Sequence, residues 1–131
     1  MPLSVAISNN GGTAGSIEKG DVITFTFNQP PVNPGTITVS TNSVTGTITV
    51  GSLGTISGLT IGAVRSYDAS TSSVAGNVLT ITIGAVGNAV TTHATTVSGL
   101  PKPFSFGSLT SSGGTNLCTA AACGVSTTGS F

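Results

Sequence analysis

Between Val22 and Phe27 the chain alternates strictly. Ile23, Phe25 and Phe27 fall on one side of an extended backbone, and Val22, Thr24 and Thr26 on the other. Three large apolar side chains on one face need cover. Burying each is worth roughly 1.5–3 kcal/mol, so this segment is expected in a core. Gly20-Asp21 ends a turn just before it. Pro30 and Pro31 stop it, since neither can donate to a sheet ladder. The same period of two recurs along the chain. Leu3, Val5 and Ile7 alternate with Ser4, Ala6 and Ser8; Ile37 and Val39 share a face within 36–40. Val44, Gly46, Ile48 and Val50 oppose Thr45, Thr47 and Thr49. Leu79, Ile81 and Ile83 oppose Val78, Thr80 and Thr82, and Phe104 and Phe106 share a face within 103–109.

The expected inner face therefore comprises Ile23, Phe25, Phe27, Ile48, Leu79, Ile81, Ile83, Phe104 and Phe106. Residues 13–17 and 63–67 read as short strands. Residues 51–62, punctuated by glycine, read as a long loop with a short strand near its end. The Ser/Ala-rich stretch 68–76 reads as a surface loop, and a weak strand is expected over 89–92. About seven to nine short strands at roughly ten-residue spacing, with turn residues between them, predict an all-β chain. The expected architecture is an immunoglobulin-like β-sandwich, with a jelly roll as the alternative. The domain is expected to span residues 1–113. The glycine break Ser111-Ser112-Gly113-Gly114 precedes a tail, residues 114–131, which is expected either to fold back as a last strand or to lie as an arm on a neighbour.

Composition agrees with sheet. Ser, Thr and Gly make up nearly half of the 131 residues, β-branched Val, Ile and Thr are abundant, and Glu, Lys, Gln and Arg are scarce. There are three basic and three acidic residues, for a net charge of zero. Lys19, Arg65 and Lys102 cannot form the basic stripe that nucleic acid requires. A free domain ordinarily carries more charge to keep copies apart, so a neutral hydroxyl-rich surface suits an environment where subunits touch. No run reaches the ~18 apolar residues of a membrane span. The N-terminal Met-Pro-Leu-Ser-Val-Ala-Ile-Ser lacks the basic and apolar regions of a secretory leader. The expectation is a mature form, or a protein released by lysis as virion proteins are.

The residues that carry chemistry are few. His93 is the single histidine, and no Gly-x-Ser-x-Gly elbow accompanies it, so a nucleophile relay is not expected. Glu18, Asp21 and Asp68 are the only carboxylates. Glu18 and Asp21 flank one turn, where such side chains bond nearby backbone N–H groups rather than a calcium ion. One His and two Cys fall short of a zinc site. No catalytic residue, metal or cofactor is expected. Cys118 and Cys123 are separated by Thr-Ala-Ala-Ala. An extracellular setting favours a disulfide between them, worth roughly 2–3 kcal/mol by loop closure; the alternative is two buried thiols.

The segment from Gly11 to Pro30, Gly-Gly-Thr-Ala-Gly-Ser-Ile-Glu-Lys-Gly-Asp-Val-Ile-Thr-Phe-Thr-Phe-Asn-Gln-Pro, resembles the opening of immunoglobulin-like modules in bacterial surface proteins. These are the actinobacterial secreted and S-layer-type modules, which also occur in tailed-phage virion proteins. The resemblance covers about the first 40 residues, and the two-cysteine tail is similar to the ends of some of these modules. It implies a structural or adhesive role without catalysis. With a Met start and no leader, the expected role is a structural protein of an extracellular assembly. A phage virion surface, as capsid decoration or tail, comes first, with a bacterial cell-surface or filament module as the alternative. A carbohydrate-binding domain is a third reading, disfavoured by the absence of Trp and the presence of only one Tyr and five Phe. The expected partners are copies of the chain or another structural protein in a lattice, capsid or filament.

Overall fold

A computed structural model of the chain describes residues 2–85, 94–107, 109–110, 116–118 and 124–131. Among these residues the structure is entirely strand, turn and loop, without a helix. The principal sheet holds nine strands. In chain order they are β1 (Pro2–Ser8), β3 (Val22–Phe27), β4 (Ile37–Asn42), β5 (Thr47–Val50), β6 (Gly54–Ile56), β8 (Arg65–Ala75), β9 (Val78–Thr82), β11 (Pro103–Phe106) and β14 (Gly124–Ser130). Three short strands, β2 (Ser16–Ile17), β7 (Thr60–Ile61) and β10 (Thr95–Ser98), form a separate sheet. β12 (Leu109–Thr110) and β13 (Asn116–Cys118) pair with each other.

The nine strands close into a barrel in the order β1-β14-β11-β6-β5-β4-β8-β9-β3, with β3 returning to β1. This corrects the expectation of an immunoglobulin-like sandwich of two separate sheets. Two long strands make the difference, because each changes partner halfway along. The first half of β8 pairs with β4, through Arg65–Thr41 to Ser70–Ile37; its second half, Thr71 to Ala75, pairs with β9. Between Tyr67 and Ser70 the strand carries one residue more than β4 does, a bulge that bends it from one wall toward the other. β14 does the same at the opposite seam. Gly124 to Ser126 pair antiparallel with β11, and Thr127 to Ser130 pair parallel with β1. Gly129 sits there at a φ of 79°, and a Cβ on it would overlap the Ile7 carbonyl. Only glycine lets the two backbones approach so closely.

The seams divide the barrel into a front wall (β9, β3 and β1 with half of β8 and of β14) and a back wall (β4, β5, β6 and β11 with the other halves). The inward side chains of both meet in one core. Phe25, Phe27, Phe104 and Phe106 form a ring cluster, with Phe25 and Phe104 centroids 5.0 Å apart and edge-on across the interior. Ile23, Ile48, Leu79, Ile81 and Ile83 are buried in the same cluster. It also takes in Tyr67 and Phe131, which alternation alone did not place there.

Three segments differ from their sequence-based reading. The stretch 68–76, expected as a surface loop, is for the most part the second half of β8. Its inward positions are Ser70, Ser72 and Val74, so a single apolar side chain is all the signal it leaves. Residues 54–56, expected in a loop, are β6, whose Ile56 is buried against Phe104 of β11 in register. Val44, placed on an inner face, is 90% exposed at the β4–β5 hairpin tip. There the Asn42 side-chain oxygen accepts the N–H groups of Val44 and Thr45 and turns the chain before β5 begins. Of the two readings of residues 114–131, the described end of the chain follows the first: β14 folds back as a strand of the barrel rather than lying apart as an arm. The strand expected over 89–92 lies outside the described residues.

Phe25→Ala is expected to cost about 3–5 kcal/mol in urea unfolding, since it removes the ring that touches both Phe104 and Phe106. Thr24→Ala, on the outward face of the same strand, is expected to cost under about 1 kcal/mol.

Candidate functional site

The small sheet β2-β10-β7 covers one end of the barrel. Gly15 donates its N–H to the Phe131 carbonyl at 2.7 Å, Leu59 donates to Gly46 at 3.0 Å, and the Tyr67 hydroxyl donates to the Ile17 carbonyl at 3.0 Å. Ile17, Leu59, Ile61 and Val97 add their side chains to the barrel core from this cap. Three buried hydroxyl groups tie loops to the barrel in one manner, each donating to a carbonyl and accepting an N–H. Thr41 does so with Ala63 and Arg65, Ser70 with Tyr67 and Gly84, and Thr127 with both groups of Lys102.

The charges gather at this capped end. Asp21 is fully buried in the turn before β3. Its Oδ1 accepts the N–H groups of Asn10 at 2.9 Å and Gly11 at 2.8 Å, and its Oδ2 accepts that of Glu18 at 3.0 Å. Glu18, also buried, accepts the Thr13 N–H through Oε1 at 2.5 Å. The two carboxylates thus hold the loop between β1 and β2 against the turn before β3. Gly11 belongs to this lock, since a Cβ there would run into Glu18 and Asp21. Burial pushes the Asp21 carboxyl above its ordinary 3.8, outweighing the three N–H donors, and the neighbouring Glu18 charge adds to the rise. The folded chain therefore holds that proton more tightly than an unfolded one, and acidification favours folding at this residue. Tyr67 lies under the cap with its pKa pushed up to about 12 by burial; Arg65 nearby opposes the shift, and Asp21 and Glu18 add to it.

These groups have structural partners: the carboxylates that the turn was expected to bind to backbone N–H groups are so bound. Among the described residues, no three His, Cys, Asp or Glu side chains converge on a point that could hold a metal ion, and no helix is long and apolar enough to cross a membrane. His93 and Cys123 lie outside the described residues, as does the expected Cys118–Cys123 bond. Cys118 is placed by its backbone, opposite Leu109 in the β12–β13 pair. Comparison with protein families, with curated proteins and with solved structures finds no match.

The two walls present a different chemistry. On the front wall, Ser73, Thr80, Thr24, Ala6 and Thr128 stand in one row across five strands, and Thr71, Thr82, Val22, Ser8 and Ser130 in the next. On the back wall, Ser66, Ser40, Thr49, Thr55 and Ser105 form a row of hydroxyl groups. No row contains a charge. Asp68 is exposed at the β8 bulge, on the same outward face as Ser66 and two residues beyond it; Lys19 is in the turn before β3, and the Lys102 side chain lies against Gly58, just before β7. All five Phe and the one Tyr are buried. The outward rows were readable only as strand alternation, because which residues align across strands depends on register.

Asp21→Ala is expected to destabilise the chain by about 2–4 kcal/mol in urea unfolding, since three N–H groups lose their acceptor. Asp21→Asn, which retains one acceptor oxygen, is expected to cost less. For Tyr67, the folded pKa lies above the unfolded value of 10.0, so its contribution is complete below pH 10 and is lost as pH rises toward 12. Thermal unfolding followed by circular dichroism is expected to show a fall in Tm over that interval, and Tyr67→Phe is expected to flatten it.

Proposed function

We propose that the chain is a non-enzymatic structural subunit of an extracellular assembly, first of all the surface of a phage virion as capsid decoration or tail protein. One observation carries this reading. Two of the three carboxylates are buried in the cap, and the remaining exposed charges stand at the cap end and one corner. The central rows of both broad walls are uncharged and rich in hydroxyl groups, with Asp68 at the edge of the back wall. A domain that works alone in solution is ordinarily kept apart from its copies by surface charge. This one has almost none on its walls, which suits permanent neighbours. The carboxylates are committed to backbone N–H groups rather than to an open cleft. The closed barrel also protects the main strand edges, as suits a protein exposed outside cells.

The bacterial cell-surface or filament module is the second reading. Its support is the resemblance of residues 11–30 to immunoglobulin-like modules, together with two walls that pack face to face through Phe25 and Phe104. Carbohydrate binding loses support, because every aromatic ring is buried and none is left to stack on a sugar.

Immunogold labelling with antibody against the chain, applied to particles and cells of the source culture, tests the proposal. Label on virion surfaces is the expected result. Label confined to the cell envelope decides for the surface module, and label only in the cytosol overturns both.

A further inference from the structure

We propose that Asn10-Gly11 is a latent deamidation site that Asp21 holds shut in the folded chain, and that opening of the loop between β1 and β2 releases it. Asn10-Gly11 is the single Asn-Gly step in the sequence, and Asn10 is exposed. An Asn followed by glycine is the step most open to this chemistry, because no side chain on the next residue hinders the approach of its nitrogen. The fold requires that glycine. A Cβ at residue 11 would stand 2.5 Å from the Glu18 Cγ and 2.7 Å from the Lys19 carbonyl oxygen. A larger residue therefore has no room to shield Asn10, and the shielding falls to the hydrogen bonds of the lock.

In the reaction the Gly11 nitrogen gives up its proton and attacks Cγ, the side-chain carbonyl carbon of Asn10. A Cγ–N bond forms, the Cγ–Nδ2 bond breaks, and ammonia leaves with the proton. Water then opens the cyclic imide at either carbonyl. One opening yields aspartate; the other yields isoaspartate, whose main chain runs through Cγ and is one carbon longer. Two features of the folded loop oppose the first step. The Gly11 N–H donates to Asp21 Oδ1 at 2.8 Å, and the Asn10 N–H donates to the same oxygen at 2.9 Å. One acceptor thus fixes the peptide groups on both sides of Asn10 and restricts the rotation that ring closure needs. Taking the proton from Gly11 would also place negative charge on its nitrogen against the Asp21 carboxylate, with buried Glu18 close by. Both obstacles are gone when the loop opens, and the product keeps it open. Isoaspartate sets the two nitrogens one carbon further apart along the chain, so one Asp21 oxygen no longer serves both N–H groups.

Peptide mapping by mass spectrometry, on the full chain incubated at mildly alkaline pH, tests this. Asn42, followed by Ser43 at the end of β4, is a reference within the same molecule. Native wild type is expected to convert Asn10 at least about tenfold more slowly than the chain unfolded in urea, since conversion waits on breaking hydrogen bonds to a buried carboxylate. Hydrogen exchange on the native sample is expected to show the Gly11 N–H protected by a like factor. Asp21→Ala is expected to speed conversion at Asn10 at least about tenfold while Asn42 keeps its wild-type rate, and Asp21→Asn, with one acceptor oxygen, to lie between. Should Asn42 accelerate as well in Asp21→Ala, that variant has unfolded, and Asp21→Asn and the wild-type exchange decide. Native wild type that converts Asn10 as fast as the unfolded chain overturns the shielding. Faster conversion in the native chain also overturns it, and makes Asp21 a base that draws the Gly11 proton. Slow conversion beside a freely exchanging Gly11 N–H overturns the part given to Asp21. An unfolded chain that converts Asn10 no faster than Asn42 overturns the site itself.

Discussion

Closure of the barrel depends on two strands that belong to both walls. β8 leaves β4 and joins β9 across a one-residue bulge, and β14 leaves β11 and joins β1 where Gly129 admits close contact. If either seam opened, two strand edges would lose their partners and the Phe25–Phe104 contact would lose the frame that holds it. Each seam is also secured by a buried hydroxyl group. Ser70 bonds the Tyr67 carbonyl and the Gly84 N–H at the bulge, and Thr127 bonds both backbone groups of Lys102 at the start of the parallel pairing. A buried hydroxyl that both donates and accepts meets its needs without charge, which fits a chain with so little charge to use.

Where charge is used, it serves folding. Asp21 and Glu18 together receive four backbone N–H bonds from one short region. They replace water for groups that a tight crossing between β1 and β3 would otherwise leave bare. Burying Glu18 and Asp21 in the cap keeps both carboxylates off the walls, whose central rows are uncharged, so the demands of the fold and the nature of the outer surface are linked.

The core was legible in the sequence because its rule is local. Alternation of Ile23, Phe25 and Phe27, of Leu79, Ile81 and Ile83, and of Phe104 and Phe106 is set by the two-residue period of any strand, whichever strands lie beside it. The all-β class followed for the same reason, and so did the Glu18–Asp21 turn, whose residue types bind backbone wherever they occur in a tight turn. The closure was decided only by tertiary structure. The second half of β8 is written mostly in Ser, Thr and Ala, whose burial depends on neighbours far along the chain, so Val74 alone is too little to mark it as a strand. The exposure of Val44 turns on where a hairpin reverses, and the burial of Tyr67 and Phe131 on a cap drawn from three distant segments. Sandwich and barrel share one local pattern. They differ in whether two long strands keep one partner or take two, and that is a matter of register, which a single sequence does not express.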